Sequence, residues 1–217
     1  MVDFAQARRI MVDSQLRPFD VNDIPLLDAM NTIPRERFVA PGRESLAYMD
    51  QDIPVADGRR MLSPMIAARM IQNLEVRAGE RVLDVACGLG YTSAIMAELG
   101  GAVIGLEDNE ALAAAARERL AAAGFAGVAV VAGPLEQGYA EGAPYDAILV
   151  NGALEVRPDG LLRQLSEGGR LVCVQGRGRA AKAMLYVRAG DALSQRSLFD
   201  AAAPVLAAFR DEPGFVF

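Results

Sequence analysis

The stretch that most constrains the fold of this chain is RVLDVACGLGYTSA at residues 81–94. A short apolar strand containing Asp84 leads into a loop with Gly88 and Gly90, and a helix-like pattern follows. Glycines in such a loop permit a tight turn and let a ligand approach the bare backbone. The stretch therefore predicts the strand–loop–helix unit of a nucleotide-binding α/β domain.

A second apolar strand follows the glycine loop and ends in an acid. It is VIGLE at residues 103–107, so Glu107 stands nineteen positions after Gly88. A carboxylate at this place accepts hydrogen bonds from both hydroxyls of a ribose. Asp108, next in the chain, and Ala86 of the loop belong to the same predicted binding region.

The glycine spacing distinguishes between two classes of ligand. A dinucleotide fingerprint needs a third glycine near the pyrophosphate, and the run from Gly88 to Ser93 contains only two glycines. Asp84, ahead of them, repels a phosphate but suits a cationic ligand. The pattern favours S-adenosylmethionine, which carries an ammonium, a sulfonium and a ribose, over NAD. A generic α/β turn with chance glycines is the alternative interpretation.

Composition limits the remaining classes of function. The 217 residues carry a net charge of −6, which argues against duplex nucleic acid as a partner because phosphates attract a basic face. The sequence has no histidine, so histidine-based triads and most zinc sites are excluded, and we predict no metal ligands. Cys87 and Cys173 are lone thiols, which predicts a cytoplasmic protein. No window predicts a signal peptide or a membrane span.

The first part of the chain predicts an extension at residues 1–60, packed on a core at 61–217 as one structural domain. We expect helices at 4–17 and 22–31 and an irregular segment at 32–60. Asn22 is the expected N-cap of the second helix. Ser63 and Pro64 read as the N-cap and first residue of a further helix.

From residue 79 onward, strand and helix patterns alternate, which implies a doubly wound, mostly parallel sheet. We expect strands at 81–86, 102–107, 128–132, 145–151 and 169–175, and helices at 91–99, 109–123 and 158–166. MLYVR at 184–188 predicts an antiparallel hairpin at this edge. FVF at 215–217 is the candidate for a last strand.

Several motifs together resemble the protein-L-isoaspartate O-methyltransferase family, from about residue 10 to 176. Besides the glycine stretch they are AMNTIPRERFVAP (29–41), AYMDQDIPV (47–55), Leu-Ser-Pro (62–64), GYAEGAPYDAILV (138–150) and LLRQLSEGGRLVCV (161–174). The resemblance implies a Rossmann-like class I methyltransferase fold with S-adenosyl-L-methionine as cofactor and S-adenosyl-L-homocysteine as product. It implies methyl transfer to the free carboxylate of isoaspartyl residues, so the expected partner is a damaged protein or peptide.

The same resemblance assigns roles to individual residues. Ser63 matches the family's serine beside the transferred methyl group and is the expected catalytic residue, with plain helix capping as the alternative role. The residues expected to bind the cofactor are Asp84, Ala86, Gly88, Gly90, Glu107, Asp108, Leu135 and Asn151.

Two departures from the family pattern affect the site. The family has serine, one spacer residue and then proline, whereas Ser63 is followed directly by Pro64. The family's Gly-Asp-Gly is replaced by Gly133-Pro134-Leu135, and proline offers no side-chain acceptor for an adenine amino group. These departures keep two alternatives open: a methyltransferase of the same fold with another acceptor, and a non-catalytic cofactor-binding module.

One compact basic cluster, RGRAAK at 177–182, stands out in this acidic sequence. A solvated hairpin turn is the favoured interpretation. The alternative interpretation is a clamp for an acidic peptide or a phosphorylated ligand.

Overall fold

The computed structural model describes residues 3–56 and 58–211. Its main sheet consists of β3 (Arg81–Val85), β4 (Ala102–Glu107), β5 (Ala129–Ala132), β6 (Tyr145–Leu154), β7 (Leu165–Gln175), β8 (Lys182–Ala189) and β9 (Ala192–Asp200). Their spatial order is β5-β4-β3-β6-β7-β8-β9. The five strands β5, β4, β3, β6 and β7 are neighbours in this order and pair in parallel. The strands β8 and β9 then add an antiparallel edge next to β7.

Helices cover the sheet on both faces. They are α1 (Phe4–Met11), α2 (Ile24–Thr32), α3 (Pro64–Leu74), α4 (Tyr91–Glu98), α5 (Glu110–Ala122) and α6 (Asp159–Leu162). Successive residues of β6 alternate between two hydrophobic clusters: Leu149 belongs to the cluster that includes residues of α1 to α5, and Ile148 and Val150 belong to the cluster that includes residues of α6. A strand buried on both faces is typical of a parallel sheet. The expected α/β fold with an antiparallel edge is therefore confirmed.

Strand order places a crevice at one point of the sheet. The chain goes from β3 outward to β4 and β5, then returns to the other side of β3 as β6. Ligands of open α/β sheets bind at the carboxyl ends of the strands where the order reverses. The ends of β3, β4 and β6 border that crevice.

The N-terminal helices differ from the expectation at their ends. The first α-helix ends at Met11, and the chain continues as a π-helical turn over Val12–Leu16 and a 3-10 turn over Arg17–Phe19. Pro18 explains the loss of regular helix, because it has no N–H and its ring displaces the preceding carbonyls. The cap of α2 is Asp23, which accepts the Leu26 N–H at 2.9 Å, and not Asn22.

Three further expectations about elements need correction. The segment 32–60, expected to be irregular, contains β1 (Ile53–Ala56), which forms an antiparallel hairpin with β2 (Arg59–Met61). The helix expected at 158–166 is confined to Asp159–Leu162 because the chain enters β7 at Leu165. The strand β9 was not predicted, since most of its residues are exposed and lack an apolar alternation. The candidate strand at 215–217 lies outside the described residues.

Across residues 3–56 and 58–211, every helix falls short of the length and apolar character that a bilayer span requires.

Candidate active site

The loop after β3 has an unusual backbone. Ala86, Gly88 and Gly90 all have positive φ, at 57°, 59° and 92°. A left-handed conformation costs a residue with a Cβ roughly 1–2 kcal/mol, so Ala86 is a strained position of the kind that clusters at functional sites. Gly90 precedes α4, and a Cβ there would lie 2.9 Å from Leu120. The loop therefore requires glycine at this position.

Asp84 is fully buried at the end of β3 and is held by three donors. Its carboxylate accepts hydrogen bonds from the hydroxyls of Ser93 and Thr92 (2.5 and 2.7 Å) and from Asn151 Nδ2 (2.6 Å). Burial raises the pKa of Asp84 to about 6, against these bonds, which favour the charged form. Thr92 and Asn151 line the crevice, whereas Asp84 itself does not.

Glu107 ends β4 beside this loop, and its carboxylate is engaged by Arg59 of β2. Arg59 Nε and Nη2 lie 3.1 and 2.9 Å from Glu107 Oε1, and Nη2 also donates to Asp108 Oδ1 at 2.6 Å. Glu107 Oε2 accepts the Gly88 N–H at 2.9 Å. Burial raises the pKa of Glu107, and the Arg59 charge opposes that effect. The carboxylate predicted for the ribose is thus paired with an arginine that the sequence pattern did not indicate.

The β1–β2 hairpin closes the crevice. A Cβ built on Gly88 would meet Val55 of β1 at 3.8 Å, so the hairpin lies directly over the glycine loop. The cavity beneath it has a volume of about 20 Å³, which is room for roughly one water molecule. Ala86, Gly88 and Leu62 are among its lining residues. The cavity as it stands is too small for a nucleoside.

Two buried polar side chains at the cavity keep unused hydrogen-bonding capacity. Arg35 donates to the carbonyls of Ala47 and Leu62 at 2.7 and 2.6 Å, and its guanidinium lies 4.7 Å from the centre of the Tyr91 ring. Within the described part of the chain, Arg35 Nη1 and the Tyr91 hydroxyl take no partner. Burial lowers the pKa of Arg35 and raises that of Tyr91. Sequence reasoning missed Arg35 as a site residue, because nothing in PRERFV separates a buried arginine from a solvated one.

Ser63 precedes α3 as expected, but its hydroxyl does not cap the helix. The Ser63 N–H donates to Asp52 Oδ1 at 2.9 Å, and the residue is 6% exposed. Leu62, and not Ser63, is among the residues that line the cavity. When Pro64, the first residue of α3, is matched to the family's proline, Ser63 takes the place of the spacer residue and Leu62 takes the place of the family's serine. A catalytic role for Ser63 stays a prediction.

The remaining predicted residues lie at different depths. Asn151 holds Asp84 and faces the cavity, whereas the Leu135 side chain is fully buried in the core, which leaves only its backbone for a ligand. Asp108 is partly exposed at the rim. Burial raises the pKa of Cys87 well above its usual value, which disfavours the thiolate form that a nucleophile needs. No three metal-ligating acid or thiol side chains come together within the described ranges.

Sequence comparison with known proteins points to one family. The family model "Protein-L-isoaspartate(D-aspartate) O-methyltransferase (PCMT)" matches residues 11–202. A protein-L-isoaspartate O-methyltransferase of Methylorubrum populi is 44% identical over 176 residues, covering 81% of this chain and 82% of that protein. One of Methanoculleus marisnigri is 43% identical over 169 residues, covering 78% of this chain and 77% of that protein.

Solved structures share the fold. A protein-L-isoaspartate O-methyltransferase superposes with a TM-score of 0.80 at 24% identity, over 92% of this chain and 65% of that chain. A Plasmodium falciparum protein named as a beta-aspartate methyltransferase (PCMT) gives a TM-score of 0.78 at 20% identity, over 93% of this chain and 98% of that chain. From the sequence matches, the chain belongs to the protein-L-isoaspartate(D-aspartate) O-methyltransferase family.

Proposed function

We propose that this protein transfers a methyl group from S-adenosylmethionine to the free carboxylate of isoaspartyl residues in proteins or peptides. The observation that carries the proposal is the pair of acid-tipped strands, with Asp84 and Glu107 beside one glycine turn, in a chain of this family. The Plasmodium falciparum relative of the same fold was solved in complex with S-adenosyl-L-homocysteine.

The residues at the crevice fit this cofactor. The Glu107 carboxylate is a buried acceptor suited to ribose hydroxyls, and the buried charge of Asp84 favours the cationic methionine end. Gly88 leaves its backbone open to a close approach, with Ala86 and Gly90 shaping the turn and Asp108, Asn151 and the Leu135 backbone at its borders. When bound, the cofactor supplies a methyl group on a sulfonium, which is an excellent leaving group.

The chemistry asks little acid–base help from the protein. A carboxylate acceptor is already ionised at neutral pH, so the absence of histidine from the chain is no obstacle. Catalysis then consists of alignment and exclusion of water, and orientation alone supplies up to about 7–11 kcal/mol in favourable systems. The β1–β2 hairpin, which lies over the glycine loop, is the element available to exclude water. The groups available to orient the acceptor are Arg35, whose Nη1 takes no partner among the described residues, and Ser63, which does not line the cavity itself but follows the lining residue Leu62.

We place this activity in a reducing compartment, the cytoplasm. Cys87 and Cys173 are both free and buried, which is typical of proteins that never form disulfides.

The proposal is tested with a pair of matched peptides. Methyl incorporation from S-adenosylmethionine is measured on an isoaspartyl peptide and on its aspartyl twin of the same sequence. We expect transfer to the isoaspartyl peptide and background incorporation into the twin. Background incorporation into both would favour another acceptor on the same fold. Leu62 would then explain the difference, because it lines the cavity at the position where the family has a serine.

Titration calorimetry distinguishes a non-catalytic module that binds no cofactor from a methyltransferase, whether its acceptor is isoaspartyl or another group. S-adenosyl-L-homocysteine should release heat on binding at a single site. A folded protein that gives no heat at high ligand concentration would be a module without a cofactor role.

A further inference from the structure

A second, larger depression lies on the outer side of the β1–β2 hairpin. It is an open groove of about 550 Å³ between this hairpin and the segments that follow β7 and β9. Pro54, Pro204 and Val205 supply its apolar surface. We call it the arginine groove, because four of its lining residues are Arg59, Arg60, Arg177 and Arg210.

Two of these four positive charges form no salt bridge among the described residues, although Arg60 lies within electrostatic reach of Asp52 and Arg210 within reach of Glu155. Arg59 is paired with Glu107 and Asp108, and Arg177 is paired with Glu155. Arg60, by contrast, donates to the backbone carbonyl of Asp52 at 2.7 Å. Among the described residues, Arg60 and Arg210 form no salt bridge, and no acidic residue is found in the groove lining.

This concentration of positive charge is unusual for the chain as a whole. The sequence has 22 Lys and Arg against 28 Asp and Glu, so its average surface repels an acidic partner. Four guanidinium groups around one groove of an acidic protein attract anionic ligands to that groove. Arginine matches carboxylates in particular, because its planar fork donates two parallel hydrogen bonds.

The arginine groove adjoins the catalytic crevice. Arg60 lines both the groove and the small cavity beside Gly88, so the hairpin is the wall between the two. A polypeptide lying in the groove would contact Arg60, which also borders the cavity. The backbone is extended on both sides of this groove, in β1 and in the bridge between Ala153 and Val205.

We propose that the arginine groove binds acidic polypeptide next to the isoaspartyl residue, with Arg60 and Arg210 pairing with its carboxylates. This inference rests on the proposed function. It gives the enzyme a substrate preference for isoaspartyl sites that have Asp or Glu neighbours. Only Arg177 of the RGRAAK cluster lines the groove, while Lys182 is paired with Asp200 at 2.7 Å.

The test uses two isoaspartyl peptides of equal length, one with glutamates and one with glutamines at the positions flanking the isoaspartyl residue. We expect kcat/KM to be about three- to tenfold higher for the glutamate peptide, as befits two partly screened ion pairs, with most of the difference in KM. The preference should shrink as salt is added, because screening weakens such pairs.

Variants locate the preference in the groove. The double substitution Arg60→Gln and Arg210→Gln should bring the glutamate-to-glutamine ratio close to one. Arg163→Gln is the matched control: Arg163 is an exposed arginine beside a separate depression near α6 and the β8–β9 turn, and its loss should leave the ratio at the wild-type value. Melting temperatures verify that each variant is folded.

Failure of the inference differs from failure of the proposed function. Equal kcat/KM for both peptides in the wild type, or a preference that survives the double substitution, would overturn the groove assignment while methylation itself stands. No incorporation into either peptide would overturn the proposed function and the groove assignment together.

Discussion

Replacing Arg59 by methionine should tighten the binding of S-adenosyl-L-homocysteine. In the structure Arg59 makes two contacts with Glu107 Oε1, at 3.1 and 2.9 Å, on the carboxylate that a ribose requires. Ligand binding must first displace this guanidinium. Methionine has a similar length and no hydrogen-bond donor, so Arg59→Met removes the competitor and leaves the acceptor in place.

The size of the effect follows from the kind of contact that is lost. A hydrogen bond to a charged group contributes about 1.5–3 kcal/mol. In the wild type, the displaced Arg59 is hydrated and keeps its contact with Asp108, so the cost of displacing it is about one hydrogen bond. Arg59→Met removes this cost, and its dissociation constant for S-adenosyl-L-homocysteine should be roughly 10- to 150-fold lower than that of the wild type. The same substitution should destabilise the unliganded protein, by up to roughly 3–5 kcal/mol, because it breaks a buried ion pair.

Titration calorimetry at neutral pH, paired with thermal unfolding, measures both effects. Arg170→Met is the matched control, since Arg170 pairs with Glu80 at 2.6 Å at the opposite end of the parallel strands. It should lower the melting temperature and leave the affinity unchanged. Glu107→Ala should move the affinity the other way, by about 1.5–3 kcal/mol. An Arg59→Met protein that binds no more tightly than the wild type would refute the displacement argument.

Three further predictions concern single residues. Because burial raises the pKa of Asp84 from 3.8 to about 6, its negative charge is present above that pH and lost below it. Affinity for S-adenosyl-L-homocysteine should therefore fall about tenfold between about pH 7 and pH 5, and Asp84→Asn should flatten the profile. Ser63→Ala should lower kcat for an isoaspartyl peptide roughly tenfold with no change in melting temperature, since the hydroxyl caps nothing. Gly90→Ala should lower the free energy of unfolding by about 1–3 kcal/mol, because it combines a φ of 92° with a contact of 2.9 Å to Leu120.

Each of these has a result that would count against it. A pH profile that stays steep in Asp84→Asn would assign the titration to another group. Unchanged kcat in Ser63→Ala would remove the serine from the mechanism. For Gly90, the comparison is Gly190→Ala, a positive-φ position with open space around it; an equal loss of stability at both positions would mean that Leu120 does not matter.

Much of the core was predictable because its signals are local. The run from Val82 to Gly90 encodes a strand, a turn and a helix start within a few residues, and alternation from there fixes a parallel sheet. The antiparallel edge at β8 was predictable from the apolar run MLYVR. Polar β9 was not predictable, since an exposed edge strand has no apolar periodicity to read.

The part of the site that escaped prediction depends on contacts between distant segments. Arg59 meets Glu107 across 48 positions, and only the path of the β1–β2 hairpin over the glycine loop brings them together. The burial of Arg35 is of the same kind, because its carbonyl partners at Ala47 and Leu62 come from two separate segments of the chain. Local patterns predict which residues end a strand and say little about which side chains cover them.

The most direct test of the account is a crystal structure of the protein with S-adenosyl-L-homocysteine. We predict ribose hydroxyls within about 2.5–3.0 Å of the Glu107 carboxylate, with the Arg59 guanidinium moved away from it. A nucleoside bound elsewhere, with the Arg59–Glu107 pair intact, would contradict it.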